Sequence, residues 1–193
     1  MRRRDFLMSA TAAAVTAAYT GCTTTSGSGE SAATDMAQRQ SIDASVDGTL
    51  SRLYTTVKGS RELVSKAQGV LVFPKVLQAG FIIGGQHGDG ALRVGGSTVG
   101  YYSTTSGSLG LTVGAQSKAI IFLFMTSDAL SQFRNSKGWT VAGDASVALV
   151  KVGANGAIDT TTATAPVEVI VMTNAGLMAD VSVAGTKVTP LKI

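Results

Sequence analysis

Residues 69–102 read GVLVFPKVLQAGFIIGGQHGDGALRVGGSTVGYY, and the order of glycines, one prolyl break and aromatics in this stretch decides how the chain folds. Before Gly69 apolar residues recur at helical spacing; after it the period changes to two, so the chain passes from helix to strand here. Gly95-Gly96 supplies a two-residue turn whose preference for positive φ suits a tight antiparallel hairpin. Gly80, Gly84, Gly85, Gly88 and Gly90, with Gly110 and Gly114 further on, are what a strongly bent or bulged sheet requires, and they let another element approach the backbone closely. The run GGQHGDG (84–90) lacks the Lys-Ser/Thr of a P-loop and the correctly placed third glycine of a dinucleotide turn, so it gives a nucleotide little to hold.

Upstream, Ile42, Val46, Leu50, Leu53, Tyr54 and Val57 form one apolar stripe on a predicted helix from Met36 to Val57, about six turns long, with Gly48 weakening its middle. Gly59-Ser60 breaks the chain, and Ser60, with Glu62 in the first turn, starts a second short helix through Leu63, Val64 and Ala67 to Gly69. The two pieces are expected to form a helical hairpin or bend.

Downstream, Leu109, Leu111, Val113 and Ala115 alternate with Gly110, Thr112 and Gly114, the pattern of a strand with one face on a core. The run AIIFLFM (119–125) is apolar on both faces, which predicts a central strand covered on both sides, and it is too short to cross a bilayer. Asn155-Gly156 reads as a second hairpin turn, and 145–152, 167–172, 179–183 and 186–191 as further strands. Thr126 or Ser127 caps an inserted helix that Leu130 and Phe133 pack and Gly138 closes. The expected fold class is α+β: a curved antiparallel β-sheet, partly or fully closed as a barrel or sandwich, with N-terminal helices packed on it and one inserted helix.

The 69–102 stretch resembles the signature of the SYLF domain family. The resemblance continues through LGLTVGAQSKAIIFLFMT (109–126), ALSQFRNSKGW (129–139), DASVALVKVGANGAID (144–159) and TNAGLMADVSV (173–183), and so covers roughly residues 36–193. It implies a lipid-binding module, with bacterial members in the cell envelope and eukaryotic relatives that bind phosphoinositides or engage actin.

The first residues read as an export signal. Arg2, Arg3 and Arg4 precede Phe6 and Leu7, and a mildly apolar stretch rich in Ala and Thr runs to Ala18, short of the about 20 residues of a spanning helix. Arg3-Arg4-Asp5-Phe6-Leu7 resembles the twin-arginine pattern, with a general secretory signal as the alternative. Gly21-Cys22 followed by a Ser/Thr/Gly-rich segment resembles a lipoprotein cleavage site, although Tyr19 stands where an aliphatic residue is usual. Cys22 is the only cysteine, so no internal disulfide forms and acylation accounts for an exported lone thiol. The expected organisation is a signal peptide over 1–21, a flexible linker over 22–35 starting at a lipidated Cys22, and one lipid-binding domain over 36–193. The expected location is the bacterial cell envelope, lipid-anchored in the outer membrane facing the periplasm.

The whole chain carries 16 Lys and Arg against 12 Asp and Glu, a net +4. Removing residues 1–21 takes away three arginines and Asp5, leaving 13 − 11 = +2. Within 36–75, Arg39, Arg52, Lys58, Arg61, Lys66 and Lys75 face Asp43, Asp47 and Glu62, a local +3. A nucleic-acid surface needs a denser basic stripe with stacking aromatics, so no nucleic acid is expected. His87 is the only histidine; it reads as a loop residue beside Asp89, without the nucleophile and oxyanion hole of a triad. No catalytic residue, metal site or cofactor is expected, and Asp89, Asp144 and Asp159 read as turn residues. Trp139, Tyr101 and Tyr102 read as core aromatics.

The candidate lipid-binding residues are Arg52, Lys58, Arg61, Lys66 and Lys75, which flank an apolar stripe as in a helix at an anionic bilayer interface. The alternative for the stripe is packing on the sheet, with the charges as a solvated face. The function expected is an envelope lipoprotein whose domain binds phospholipid without catalysis. The alternative is a structural or protein-interaction lipoprotein that binds an envelope protein.

Overall fold

The computed structural model describes residues 28–80, 83–109, 114–141, 143–144, 146–150, 157–158, 165–173, 176–177 and 183–193. The signal peptide, Cys22, the Asn155-Gly156 turn, Asp159 and nearly all of the strand expected over 179–183 lie outside them. Helix α1 spans Ser28–Thr56, α2 Ser60–Lys66 and α3 Ser127–Asn135. The strands are β1 (Gly69–Gly80), β2 (Ile83–Val94), β3 (Ser97–Leu109), β4 (Gly114–Phe124), β5 (Trp139–Thr140), β6 (Val147–Leu149), β7 (Val167–Thr173), β8 (Gly176–Leu177) and β9 (Lys187–Pro190).

Among the described residues the nine strands form one sheet in the order β5-β9-β3-β2-β1-β4-β7-β6, with β8 added on β7. The pairings are antiparallel except β6 on β7, which is parallel, so the sheet is mixed where the sequence pattern predicted antiparallel pairing throughout. The strand β6 precedes β7 by more than fifteen residues, which leaves either direction open, and alternation in a single strand carries no information on direction. Gly95 and Gly96, at φ 57° and 85°, close the β2–β3 hairpin as expected.

Two cores lie on opposite faces of the sheet. On one, Leu71, Phe73, Ile120, Phe122, Phe124 and Val169 pack with Leu130 and Phe133 of α3 and with Trp139. Phe122, Phe124 and Phe133 each have ring centroids within 4.8–6.0 Å of Trp139 or of one another, the edge and tilted geometries aromatic rings prefer. On the other face, Ile42, Val46 and Leu53 of α1, Val57 just after it and Leu63 of α2 pack on Val70, Val72, Ala119, Ile121, Leu123 and Ile170. Residues 119–124 of β4 are buried on both faces, as the unbroken apolar run required.

Local differences from the sequence expectation have identifiable causes. Helix α1 begins at Ser28, eight residues before the expected Met36 and inside the segment read as a linker; Ala32, Ala33 and Ala37 give this exposed turn high helix propensity, which a Gly/Ser/Thr-based reading undervalues. It also continues through Gly48. Gly59, at φ 84°, breaks the two helices, and the buried Ser60 hydroxyl donates back to the Val57 carbonyl at 2.7 Å and lies 3.2 Å from that of Leu53. Thr126 caps α3, its Oγ1 accepting from the Ala129 N–H at 3.2 Å. Ser136, not Gly138, ends α3: its N–H and hydroxyl both donate to the Phe133 carbonyl, which satisfies the last turn without a left-handed residue. Of the alternating run over 109–115, Leu109 lies in β3 and Gly114 and Ala115 in β4; 110–113 lie outside the described residues.

The glycines of β2 divide by what they face. A Cβ on Gly90 would lie 2.1 Å from the Val72 carbonyl oxygen and one on Gly88 2.6 Å from that of Lys75, whereas around Gly85 there is open space. Close approach therefore holds at Gly88 and Gly90 and not at Gly85. What crowds them is a bulge in β1: Phe73 pairs with Ile120 and Val76 with Lys118, so Pro74 and Lys75 together oppose the single residue Ala119.

Candidate functional site

Helix α1 lies along the sheet with its apolar stripe down, which leaves two flanks. Asp43 and Arg52 are nine residues apart, about two and a half turns, so they project to opposite flanks.

On the Asp43 flank polar contacts tie α1 to β2 and β3, beside a hollow of about 350 Å³ lined by Asp47, Leu50, Tyr54, Val64 and Arg93 among others. Asp43 Oδ1 accepts from the Thr98 hydroxyl at 2.7 Å and Oδ2 from the Tyr101 hydroxyl at 2.8 Å. The Arg93 guanidinium, only 17% exposed, donates to Asp47 at 2.8 Å and lies 3.4 Å from Asp43. Burial, and then the Asp43 carboxylate, push the Tyr101 phenol up from its ordinary value, so it remains a donor to Asp43. Arg39 further along the helix donates to the Ile193 carbonyl.

The opposite flank is open. Two adjoining hollows of about 430 and 290 Å³ share Arg52, Pro74 and Lys75; Ser45, Gly48 and Thr49 of α1 line one, and Ser117, Lys118, Ala119 and Met172 the other. The β1 bulge builds this groove, because two successive bulge residues share the side of Ala119 and so turn Lys75 toward α1. The Ser45 and Thr49 hydroxyls are spent on carbonyls one turn back, at 2.8 and 2.9 Å. Among the described residues no ion pair involves Arg52 or Lys75, and Arg52 Nε is enclosed without a hydrogen-bond acceptor. Lys118 contributes to the groove wall, but strand alternation places its side chain on the Ile120 and Phe122 side of β4, paired across from Val76. Burial there lowers its pKa.

The five cations singled out from the sequence are thus not one cluster. Arg52 and Lys75 meet across the groove. Arg61 sits 4.4 Å over the Tyr54 ring, a cation–π contact; burial raises the Tyr54 phenol and Arg61 partly opposes it. Lys66 pairs with Glu62 at 2.8 Å with both side chains exposed, and that hydrogen bond and charge lower the Glu62 carboxyl. Lys58 is exposed in the turn after α1, where its carbonyl accepts from the Ile158 N–H at 3.1 Å. Helical spacing is enough to pair Lys66 with Glu62, four residues before it, but not to bring Lys75 of β1 into a shared hollow with Arg52. Ser117 was missed because nothing in a strand run marks a floor residue, whereas the Phe73-Pro74-Lys75 step did carry a signal: a proline inside a strand pattern marks a bulge or an edge.

His87 lies in β2, not in a loop, 64% exposed. Its Nδ1 is 3.5 Å from the Ser103 hydroxyl and its Nε2 3.6 Å from Asp89, longer than the about 2.6–3.2 Å at which a base takes a proton. Asp89 is likewise a strand residue, paired with Ser103 of β3 where the β1–β2 ladder is interrupted by the bulge. Asp144 does serve a turn, its carboxylate accepting from the Thr140 N–H at 2.6 Å. Trp139 and Tyr102 pack in the core, Tyr102 at 4.9 Å from Phe133.

Residues 105–192 match the Ysc84 family model, described as Las17-binding protein actin regulator. This is the SYLF family to which the sequence resemblance pointed, over the segment from the end of β3 through β9. Strands β1 and β2 precede that span yet lie in the middle of the same sheet, between β3 and β4. No curated protein matches the chain.

Proposed function

We propose that this SYLF-family chain is an exported, lipid-anchored envelope protein whose domain binds anionic phospholipid without catalysis. The sorting of charge by α1 carries the reading: Asp43 and Asp47 are drawn to Arg93, Thr98 and Tyr101 on one flank, so they do not neutralise Arg52 and Lys75 on the other. In the sequence these carboxylates dilute the basic segment; in the fold they are spent elsewhere. A cation at a membrane surface contributes about 1 kcal/mol toward anionic lipid. The apolar stripe of α1 is buried in the core, so the interfacial contact is polar and the helix does not lie stripe-down in a bilayer.

Anchoring would come from Cys22. Cosedimentation of the full-length Cys22→Ser chain with vesicles of graded anionic content tests the binding reading separately from the anchor; affinity rising with anionic content supports it, and no binding at any composition refutes it. Mass spectrometry of the mature protein tests acylation, which an unmodified N-terminus at another residue contradicts. A protein-docking role is favoured by the family description, which names a binding protein; it is the reading that survives if vesicles are not bound.

A further inference from the structure

We propose that the groove between α1 and the β1 bulge is a phosphate site, in which Arg52 and Lys75 grip the phosphodiester of an anionic headgroup. This rests on the phospholipid-binding reading and gives it a location. Three features of the groove converge on an anion carrying several acceptor oxygens.

First, the two cations come from different elements, one on α1 and one on the bulge, and no carboxylate among the described residues pairs with either. Cations held together across a shared hollow repel one another unless an anion joins them. Second, Arg52 lines both hollows of the groove and its Nε, like Arg93 Nε on the other flank, has no acceptor; the planar guanidinium fork matches a phosphate in two parallel bonds. Third, the hydroxyls on the α1 side already donate to helix carbonyls, while Ser117, on the Ala119 face of β4 by alternation, stands at the floor. The other floor residues, Ala119 and Met172, are buried and apolar, so the groove lowers the local dielectric beside the two charges. A volume of about 430 Å³ admits a headgroup phosphate.

The test uses the full-length Cys22→Ser chain and the shape-preserving variant Arg52→Gln/Lys75→Gln. The Arg52 Nε–H resonance, identified by its loss in the variant, is followed by NMR during titration with inorganic phosphate and, separately, with micellar short-chain phosphatidylglycerol. A shift of that resonance with phosphatidylglycerol at lower concentration than with inorganic phosphate supports a lipid headgroup; a shift with inorganic phosphate alone supports the same site serving a free phosphate. No shift with either overturns the proposal. In parallel, vesicles of phosphatidylglycerol and phosphatidylcholine in equal parts should lose roughly tenfold or more in affinity for the variant. If the parent binds those vesicles and a variant with unchanged circular dichroism binds them equally, the groove is wrong while the phospholipid reading stands. If the parent binds none, the broader reading fails on its own.

Discussion

The two flanks of α1 carry similar residue types and have opposite fates. On one, every formal charge of Asp43, Asp47 and Arg93 has a partner within 2.7–3.4 Å, and the contacts bind the helix to β2 and β3. On the other, Arg52 and Lys75 share a hollow and are not paired. Paired charges fix a structure, even though Arg93 Nε itself has no acceptor, whereas uncompensated charge beside a concavity awaits a ligand. The first flank should therefore answer to changes in stability and the second to changes in binding.

The largest effect should come from the backbone that shapes the open flank. Gly90→Ala places a Cβ within 2.1 Å of the Val72 carbonyl, so β1 must shift; we expect a loss of about 3 kcal/mol or more in urea unfolding. Gly85→Ala, with open space around it, should stay within about 1 kcal/mol.

On the closed flank, Asp43→Ala removes the acceptor of Thr98 and Tyr101 and one partner of Arg93. Leaving donors unpaired costs about 1–3 kcal/mol; because the Asp43 side chain is 32% exposed and Asp47 still holds Arg93, about 2 kcal/mol is expected. Vesicle affinity should not fall, and a fall at unchanged stability would blur the division between the flanks.

Smaller still should be the binding effect of neutralising Lys58, Arg61 and Lys66 together to Gln. These residues are adjacent to the open flank in sequence, but Arg61 is stacked on Tyr54 and Lys66 is paired with Glu62. Cosedimentation should show a loss clearly below that of Arg52→Gln/Lys75→Gln. An equal or greater loss would mean that α2 meets the membrane.

The least effect on binding should come from Lys118→Gln, whose side chain lies on the other face of β4. It should instead change the pH profile of stability. The pKa of Lys118 is lowered in the fold by burial, from an ordinary 10.5. Between the folded value and 10.5 the unfolded chain therefore holds more protons, and stability rises with pH across that window. Chemical unfolding through mildly alkaline pH should show a shallower rise in the variant; an identical slope would remove Lys118 as its source.

Much of the architecture was legible in the sequence because it rests on local period. The stripe of α1, the Gly59 break, the Gly95-Gly96 hairpin, the Thr126 cap and the doubly buried run 119–124 all follow from spacing and turn chemistry. What was not legible depends on partners far apart in the chain. Asp43 and Arg93 are 50 residues apart, and nothing local says that the carboxylates of α1 are consumed by β2 and β3. The groove is similar: Arg52 reads as one of five alike cations until the Pro74 bulge brings Lys75 to it from another strand. His87 was read as a loop because Gly-rich sequence suggests turns, while here the glycines permit a bulged ladder that continues through it.

The division between the flanks is tested most directly by measuring folding and binding on one pair of variants, Asp43→Ala and Arg52→Gln/Lys75→Gln, each in the full-length Cys22→Ser chain. Urea unfolding and cosedimentation with anionic vesicles at low and high salt give both quantities. The account predicts that Asp43→Ala loses stability and keeps vesicle affinity, whereas Arg52→Gln/Lys75→Gln keeps its unfolding midpoint and loses roughly tenfold or more in affinity at low salt, a difference that shrinks as salt screens the charges. A folded Arg52→Gln/Lys75→Gln chain that binds as well as its parent at low salt would contradict it, and would move the search for the lipid site to the glycine-rich end of the sheet.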